Sequence, residues 1–171
     1  MDDLGTYVQH DGRPAVRFVR TYPHPVERVW AAVTDPEQVG RWFPTQLRLE
    51  PLVGGTVTFS GDPNMPEMTG TVLAYEPPHR LGFTWGPDEV HLTLEPAGAG
   101  GCRFVLVNVL SDVQTAARSA AGWHVCLAEL AKVLDGTPSG GPHSTDAEPW
   151  DVLYKEYQGS GMPAGAPLPG H

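Results

Sequence analysis

The pattern of hydrophobic and polar positions changes from alternating to helical and back near the start of the chain. Residues 14–22, PAVRFVRTY, alternate branched or aromatic side chains with polar ones, which predicts a β-strand. Two short helices are predicted next. One is in PHPVERVWAAVTD, whose apolar residues recur at helical spacing, and the other is in PEQVGRWF, which ends before Pro44. Helices therefore interrupt the sheet directly after its first strand.

Six short alternating runs between Thr45 and Leu110 predict an antiparallel meander, with turns at GG, GDPN, PPH, GPD and AGAGG. The segment from Asp112 to Asp135 has no internal proline and places its apolar residues along one stripe, which predicts one long helix. Asp112 can cap the start of this helix and Gly136 its end. Because the helices are segregated from the strands, the pattern indicates an α+β fold with the long helix on the concave face of the sheet.

The two ends of the chain differ from the middle. Residues 1–13 show no periodicity and are predicted to be a flexible N-terminus. Residues 137–171 are rich in glycine and proline, so most of this tail is not expected to fold alone. A short helix is predicted at 149–158, where four apolar residues follow i, i+3, i+4, i+7 spacing.

The outer face of the last strand is apolar as well, through Val105, Val107 and Val109. An antiparallel sheet that exposes such a row invites association, so we expect something to cover it. The tail helix could do so within the chain, or a second copy could do so in a homodimer.

Composition narrows the function classes. The length of 171 residues favours one domain, and a net charge of −9 disfavours nucleic acid and anionic lipid as partners. The sequence shows no secretory signal and no apolar run of membrane-spanning length, which predicts a soluble, cytoplasmic protein without membrane insertion. Cys102 and Cys126 are expected to be reduced, and no metal or cofactor motif is present. We therefore expect no cofactor and no metal.

Three segments occur in a characteristic order: PHPVERVWAAVTDPEQVGRWF, GTVLAYEPPHRLGFTW and AAGWHVCLAELAKVLDG. Together they resemble the bacterial branch of the activator of heat-shock-protein-90 ATPase homology family, which belongs to the START-like, or SRPBCC, superfamily. The resemblance covers residues 14–136. It implies a helix-grip fold, in which an antiparallel sheet of seven or so strands wraps around the long C-terminal helix and leaves a cavity between them. The fold alone does not fix the function, because it hosts carriers, receptors, cyclases and co-chaperones.

Strand parity and helical spacing turn large side chains toward this expected cavity, a composition that suits an apolar or aromatic ligand held by few hydrogen bonds. The resemblance also places the residues after the second helix at the cavity mouth. Asn108 stands where many relatives carry histidine, which argues against a shared acid–base mechanism. His124 is either a polar contact for the ligand or a core histidine satisfied by a neighbour. The predicted ligand-binding residues are Trp42, Phe43, Phe59, Tyr75, Phe83, Trp85, Leu106, Asn108, Trp123, His124 and Leu127.

Three functions remain open from the sequence. The leading hypothesis is a module that binds an apolar small molecule and has no catalytic residues. The alternative is an enzyme of the polyketide cyclase or aromatase kind, in which His124, Tyr75 or Arg20 supplies proton transfer or orientation. The family resemblance adds a chaperone-accessory protein, which ranks lowest.

Overall fold

The structure is a computed structural model that describes residues 4–62 and 66–166. Residues 1–3 and 167–171, which belong to the predicted flexible N-terminus and tail, lie outside the described residues. The strands are β1 (Thr6–His10), β2 (Arg13–Tyr22), β3 (Gln46–Leu49), β4 (Thr56–Ser60), β5 (Met68–Glu76), β6 (Arg80–Trp85), β7 (Asp88–Ala97) and β8 (Gly101–Val109). The helices are α1 (Val26–Thr34), α2 (Pro36–Val39), α3 (Ala116–Asp135) and α4 (Trp150–Gly159).

The strands form one antiparallel sheet in the order β1-β2-β8-β7-β6-β5-β4-β3. The early strand β2 pairs with the last strand β8, with Phe18 opposite Leu106. The strand that follows α1 and α2 is β3, and it lies at the opposite edge of the sheet from β1. The long helix α3 packs across the inner face, so the α+β, helix-grip prediction is confirmed. No described helix has the length and hydropathy needed to cross a bilayer.

The long helix begins and ends where the sequence predicts. The Asp112 carboxylate accepts a hydrogen bond from the Gln114 N–H and opens a 3₁₀ turn over Val113–Thr115, which leads into α3. Gly136 ends α3 with a φ of 73°, a left-handed conformation that glycine adopts without steric cost.

The N-terminal segment departs from the predicted flexible region, because residues 6–10 form the edge strand β1. This strand is mostly exposed and lacks the alternation of a half-buried strand. The turn that pairs it with β2 consists of Asp11 and Gly12, with φ values of 50° and 79°. Two central residues with positive φ define a type I′ hairpin turn, for which Asp-Gly is a preferred sequence. That dipeptide is the signal in the sequence that could have predicted β1.

The tail helix α4 forms and packs on α3, so it does not take up the first of the two alternatives, cover of the outer face of β8 within the chain; cover by a second copy stays a prediction. Tyr157 of α4 is fully buried, and its hydroxyl accepts a hydrogen bond from the Gly5 N–H at 2.8 Å. The Tyr157 ring also packs edge-on against Phe18 on the inner side of the sheet. The tail therefore ties the N-terminus to α3, because α3 has a second apolar surface for it to cover.

Candidate functional site

The layer between the sheet and the helices is filled at one end. Phe43, which follows α2, lies with its ring centroid 5.3–6.3 Å from five other aromatic rings. These rings belong to Trp42, Phe59, Phe83, Trp85 and Trp123. The void beside Phe43, bordered also by Val90 and Leu92, has a volume of only about 10 Å³. Aromatic side chains therefore occupy this end of the layer themselves.

The other end is open and forms a cleft of about 570 Å³. This volume falls in the range of small-molecule sites, roughly 300–1,000 Å³. The cleft lies between the β6–β7 turn, the N-terminal half of α3 and the start of α4. Its lining consists of Pro44, Met68, Trp85, Gly86, Pro87, Asp88, Asn108, Ser111, Thr115, Arg118, Ser119, Gly122, Trp123, Cys126, Trp150 and Asp151.

Three indole rings are among the side chains that line the cleft. Trp85 and Trp123 meet edge to face with centroids 5.3 Å apart. Trp150 enters from α4 and is stacked on Tyr154 at 5.0 Å with an interplanar angle of 9°. Indole rings bind flat aromatic groups well because they provide a large, rigid apolar area for offset-stacked or edge-to-face contact.

Asn108 holds the Trp123 indole in place. Its side-chain oxygen accepts a hydrogen bond from Trp123 Nε1 at 3.0 Å, and its amide group donates to the Glu89 carbonyl at 3.1 Å and to Asp88 Oδ2 at 3.3 Å. Asp88 in turn accepts from the Ser111 N–H at 3.0 Å. Since Asn108 is 1% exposed and its polar atoms are paired, it positions the cleft wall rather than offering a hydrogen bond to a ligand.

Trp85 differs from Trp123 in its indole N–H. Trp85 Nε1 is buried and has no hydrogen-bond acceptor among the described residues. A buried N–H without an acceptor costs about 1–3 kcal/mol of stability. Of the Trp85 and Trp123 indole N–H groups, that of Trp123 is therefore paired and that of Trp85 is not, within the described part of the chain.

Gly122 lies in the second turn of α3 and lines the cleft. Glycine inside a helix costs about 1 kcal/mol relative to alanine. The surrounding protein does not require it, since a Cβ at this position would have Trp150 Nε1 as its nearest neighbour, at 4.0 Å. That distance is an ordinary van der Waals contact, so alanine would fit the described structure.

Cys126 is one of the titratable residues on the cleft lining. Burial, reinforced by the nearby Glu129 carboxylate, raises the pKa of the Cys126 thiol far above its ordinary value. The thiol therefore stays protonated and is a poor nucleophile. No group of His, Cys, Asp and Glu side chains within residues 4–62 and 66–166 has the geometry to hold a metal ion.

Of the residues predicted to bind ligand, Trp85, Asn108 and Trp123 line the cleft. Four of the predicted residues lie at the filled end, and another four lie elsewhere in the fold. Ligand contact by any of the eleven predicted residues stays a prediction. The filled-end residues are Trp42, Phe43, Phe59 and Phe83, and the remaining four are Leu106, Leu127, Tyr75 and His124.

These last four are engaged in internal packing. Leu106 and Leu127 are core residues that are at most 1% exposed. Tyr75 packs against Trp30 at a centroid distance of 5.8 Å. His124 Nδ1 lies 3.0 Å from the Tyr157 hydroxyl, which fits a histidine satisfied by a neighbouring side chain.

Sequence reasoning missed Gly122 and Trp150 as cleft residues. Trp150 had a signal, since it begins the apolar stripe of the tail helix, but that stripe does not indicate which surface the helix covers. The only signal for Gly122 was a glycine within a helical pattern. Such a glycine lowers the helix propensity of the segment, but the sequence does not show what the glycine is for.

The sheet order, the long helix across its inner face and the cleft at one end define a START-like helix-grip protein. Residues 23–135 match the family model described as Activator of Hsp90 ATPase homolog 1-like protein, and the chain belongs to this family. The segment 136–166, which supplies Trp150 to the cleft, lies beyond the match. No curated protein matches the chain.

Several solved structures are similar over most of the chain. The solution structure of CalU16 from Micromonospora echinospora is 25% identical, with 95% of this chain and 94% of that chain covered and a TM-score of 0.71. The protein encoded by gene BPP1335 of Bordetella parapertussis is 28% identical, with 99% and 95% covered and a TM-score of 0.68. DynU16, described as a protein in the dynemicin biosynthetic locus, is 29% identical over 72% of this chain and 48% of its own, with a TM-score of 0.62.

Proposed function

We propose that this protein binds an apolar small molecule with a flat aromatic part in the cleft at the open end of the layer between the sheet and α3. The observation that carries the proposal is the combination of a volume of about 570 Å³ with walls formed by Trp85, Trp123 and Trp150. Ligand sites are typically concave and apolar, with a few polar groups that fix orientation. This cleft has that composition.

Two polar side chains of the cleft lining, Asn108 and Cys126, support binding rather than reaction. Asn108 is paired on all its polar atoms, and the Cys126 thiol is protonated. The charged lining side chains are Asp88, Arg118 and Asp151. Of these, Asp88 accepts hydrogen bonds from Asn108 and Ser111.

The enzyme alternative has little support from side-chain positions. A general acid or base must come within hydrogen-bond reach of the reacting atom, directly or through one water. The cleft lining does not include His124, Tyr75 or Arg20. The His124 ring is hydrogen-bonded to the hydroxyl of Tyr157 in α4. We therefore assign none of the three a proton-transfer role.

Family membership and one similar structure support a small-molecule role in general. The START-like fold hosts many binding functions. It therefore supports small-molecule binding in general and does not identify the ligand. DynU16 is described as a protein in the dynemicin biosynthetic locus, which agrees with a small-molecule role in general. The support for an aromatic ligand comes from the residues that line the cleft and not from DynU16.

A direct test is titration with 9-fluorenone, a neutral three-ring aromatic ketone, followed by isothermal calorimetry and quenching of tryptophan emission. We expect a dissociation constant in the micromolar range, about −7 to −8 kcal/mol. Trp150→Ala should weaken binding by about tenfold because one aromatic wall is lost. Trp30→Ala is the matched control, since Trp30 packs on Tyr75 and does not line the cleft.

Absence of measurable binding by the wild-type protein would overturn the proposal, as would equal loss in the two tryptophan variants. Native mass spectrometry of the protein purified from its own host would then identify the natural ligand class through any molecule that remains bound.

A further inference from the structure

Gly122 leaves a stretch of the α3 backbone bare inside the cleft. Residues three and four apart lie on the same face of a helix, and Arg118, Ser119 and Cys126 accompany Gly122 along the lining. Trp123, the next residue of α3, also lines the cleft, and Trp150 Nε1 lies 4.0 Å from the position of an ideal Cβ at Gly122. The bare segment therefore lies next to the Trp150 indole.

Neither the backbone conformation nor the space around a Cβ requires glycine rather than alanine at position 122. Its φ is not in the left-handed region, so any L-residue could adopt the backbone. The nearest heavy atom to an ideal Cβ is Trp150 Nε1 at 4.0 Å, which alanine would tolerate. Gly122 therefore leaves room on the cleft side of α3 next to Trp150, at the cost of a glycine inside a helix.

We propose that Gly122 determines the shape of ligand that the cleft admits: a fused-ring aromatic lies flat against the bare α3 backbone at Gly122, next to the Trp150 indole. This inference rests on the proposed function and adds a specificity-determining residue to it. A larger side chain at position 122 would extend into the cleft beside Trp150. It would occupy the space that the outer ring of a fused-ring ligand needs. Single-ring ligands would still fit against Trp85 and Trp123.

The test compares two aromatic ketones of different size, 9-fluorenone and the single-ring acetophenone, by isothermal calorimetry. Gly122→Ala should bind both within about threefold of wild type, whereas Gly122→Leu should lose at least about tenfold for 9-fluorenone and less than about threefold for acetophenone. Gly159→Leu is the matched control, because Gly159 is also helical, has nothing within 4 Å of an ideal Cβ and does not line the cleft.

Circular dichroism and thermal melting establish that each variant is folded. If Gly122→Leu does not fold, Gly122→Met, with its more adaptable side chain, takes its place.

The outcomes separate this inference from the proposed function. If wild type fails to bind 9-fluorenone, the proposed function fails and this inference fails with it. If wild type binds but the Gly122→Leu variant binds 9-fluorenone equally well, only the role of Gly122 is overturned. Equal loss of both ketones also overturns it, since the substitution would then close the cleft without selecting by shape.

Discussion

The filled end and the open end of the inner layer show how one fold can produce a solid core and a cleft side by side. At the filled end Phe43 inserts among five aromatic rings, two of which, Trp85 and Trp123, also line the cleft, and leaves a void of about 10 Å³. At the open end α3 presents small residues such as Ser119 and Gly122, and about 570 Å³ is left. Side-chain volume on the facing elements, and not the fold itself, therefore decides where the layer is empty.

The two ends also differ in how their indole N–H groups are satisfied. Trp42 at the filled end donates to the Ala32 carbonyl at 2.9 Å, a backbone acceptor that needs no polar side chain. At the open end Trp123 relies on the buried side chain of Asn108, which in turn bonds to Asp88. The open end therefore depends on a side-chain network that single substitutions can break.

The largest expected effect comes from Phe43→Ala at the filled end. Phe43 is 3% exposed, and its removal should lower the free energy of unfolding by about 3–5 kcal/mol because the surrounding rings cannot collapse fully. Urea denaturation measures the loss. Trp150→Ala, at the partly exposed rim of the cleft, should cost only about 1 kcal/mol despite the larger side chain. If the two losses are equal, the distinction between the filled and open ends is wrong.

A smaller effect is expected from Asn108→Leu, which keeps the volume but leaves Trp123 Nε1 without its acceptor. We expect the free energy of unfolding to fall by about 2 kcal/mol, and binding of 9-fluorenone to weaken as the indole loses its fixed orientation. Thr45→Val is the control: the Thr45 hydroxyl is buried and has no partner among the described residues, so its isosteric replacement should cost nothing. A stable Asn108→Leu protein with unchanged binding would show that the network does not position Trp123.

The smallest effect is a pH dependence at Glu89, next to Asp88 on the outer side of the open end. Hydrogen bonds from Arg13 and His91 lower the pKa of Glu89 from 4.5 to about 2. Because the folded-state pKa lies below the ordinary value, the stabilisation is complete above pH 4.5 and is lost as the pH falls toward 2. With Arg13 half exposed, solvent screening limits the contribution to about 1 kcal/mol.

Urea unfolding at pH 6 and at pH 3 measures this loss. Glu89→Gln should remove that part of the acid sensitivity while leaving the rest of the profile unchanged. An identical slope of stability against pH in wild type and Glu89→Gln would contradict the assignment.

Local sequence patterns predicted most of the secondary structure because their physical causes are local. Asp112 and Gly136 delimit the long helix through a side-chain cap and a left-handed C-terminal residue. The strand β1 was missed since an exposed edge strand carries no alternation, although the Asp11-Gly12 turn marks it. The family resemblance supplied the helix-grip arrangement, and the match over residues 23–135 agrees with it.

The sequence by itself determined which faces of the strands and of α3 turn inward, because side-chain direction follows the periods of strand and helix. Only the tertiary structure decided which inward residues fill space and which border it. Phe43 fills one end because the segment after α2 places it against Phe59 of β4 and Phe83 of β6. Trp150 lines the other end because the tail helix packs on α3. The position of an empty volume depends on side chains contributed from distant parts of the chain, and periodicity carries no information about how those volumes add up.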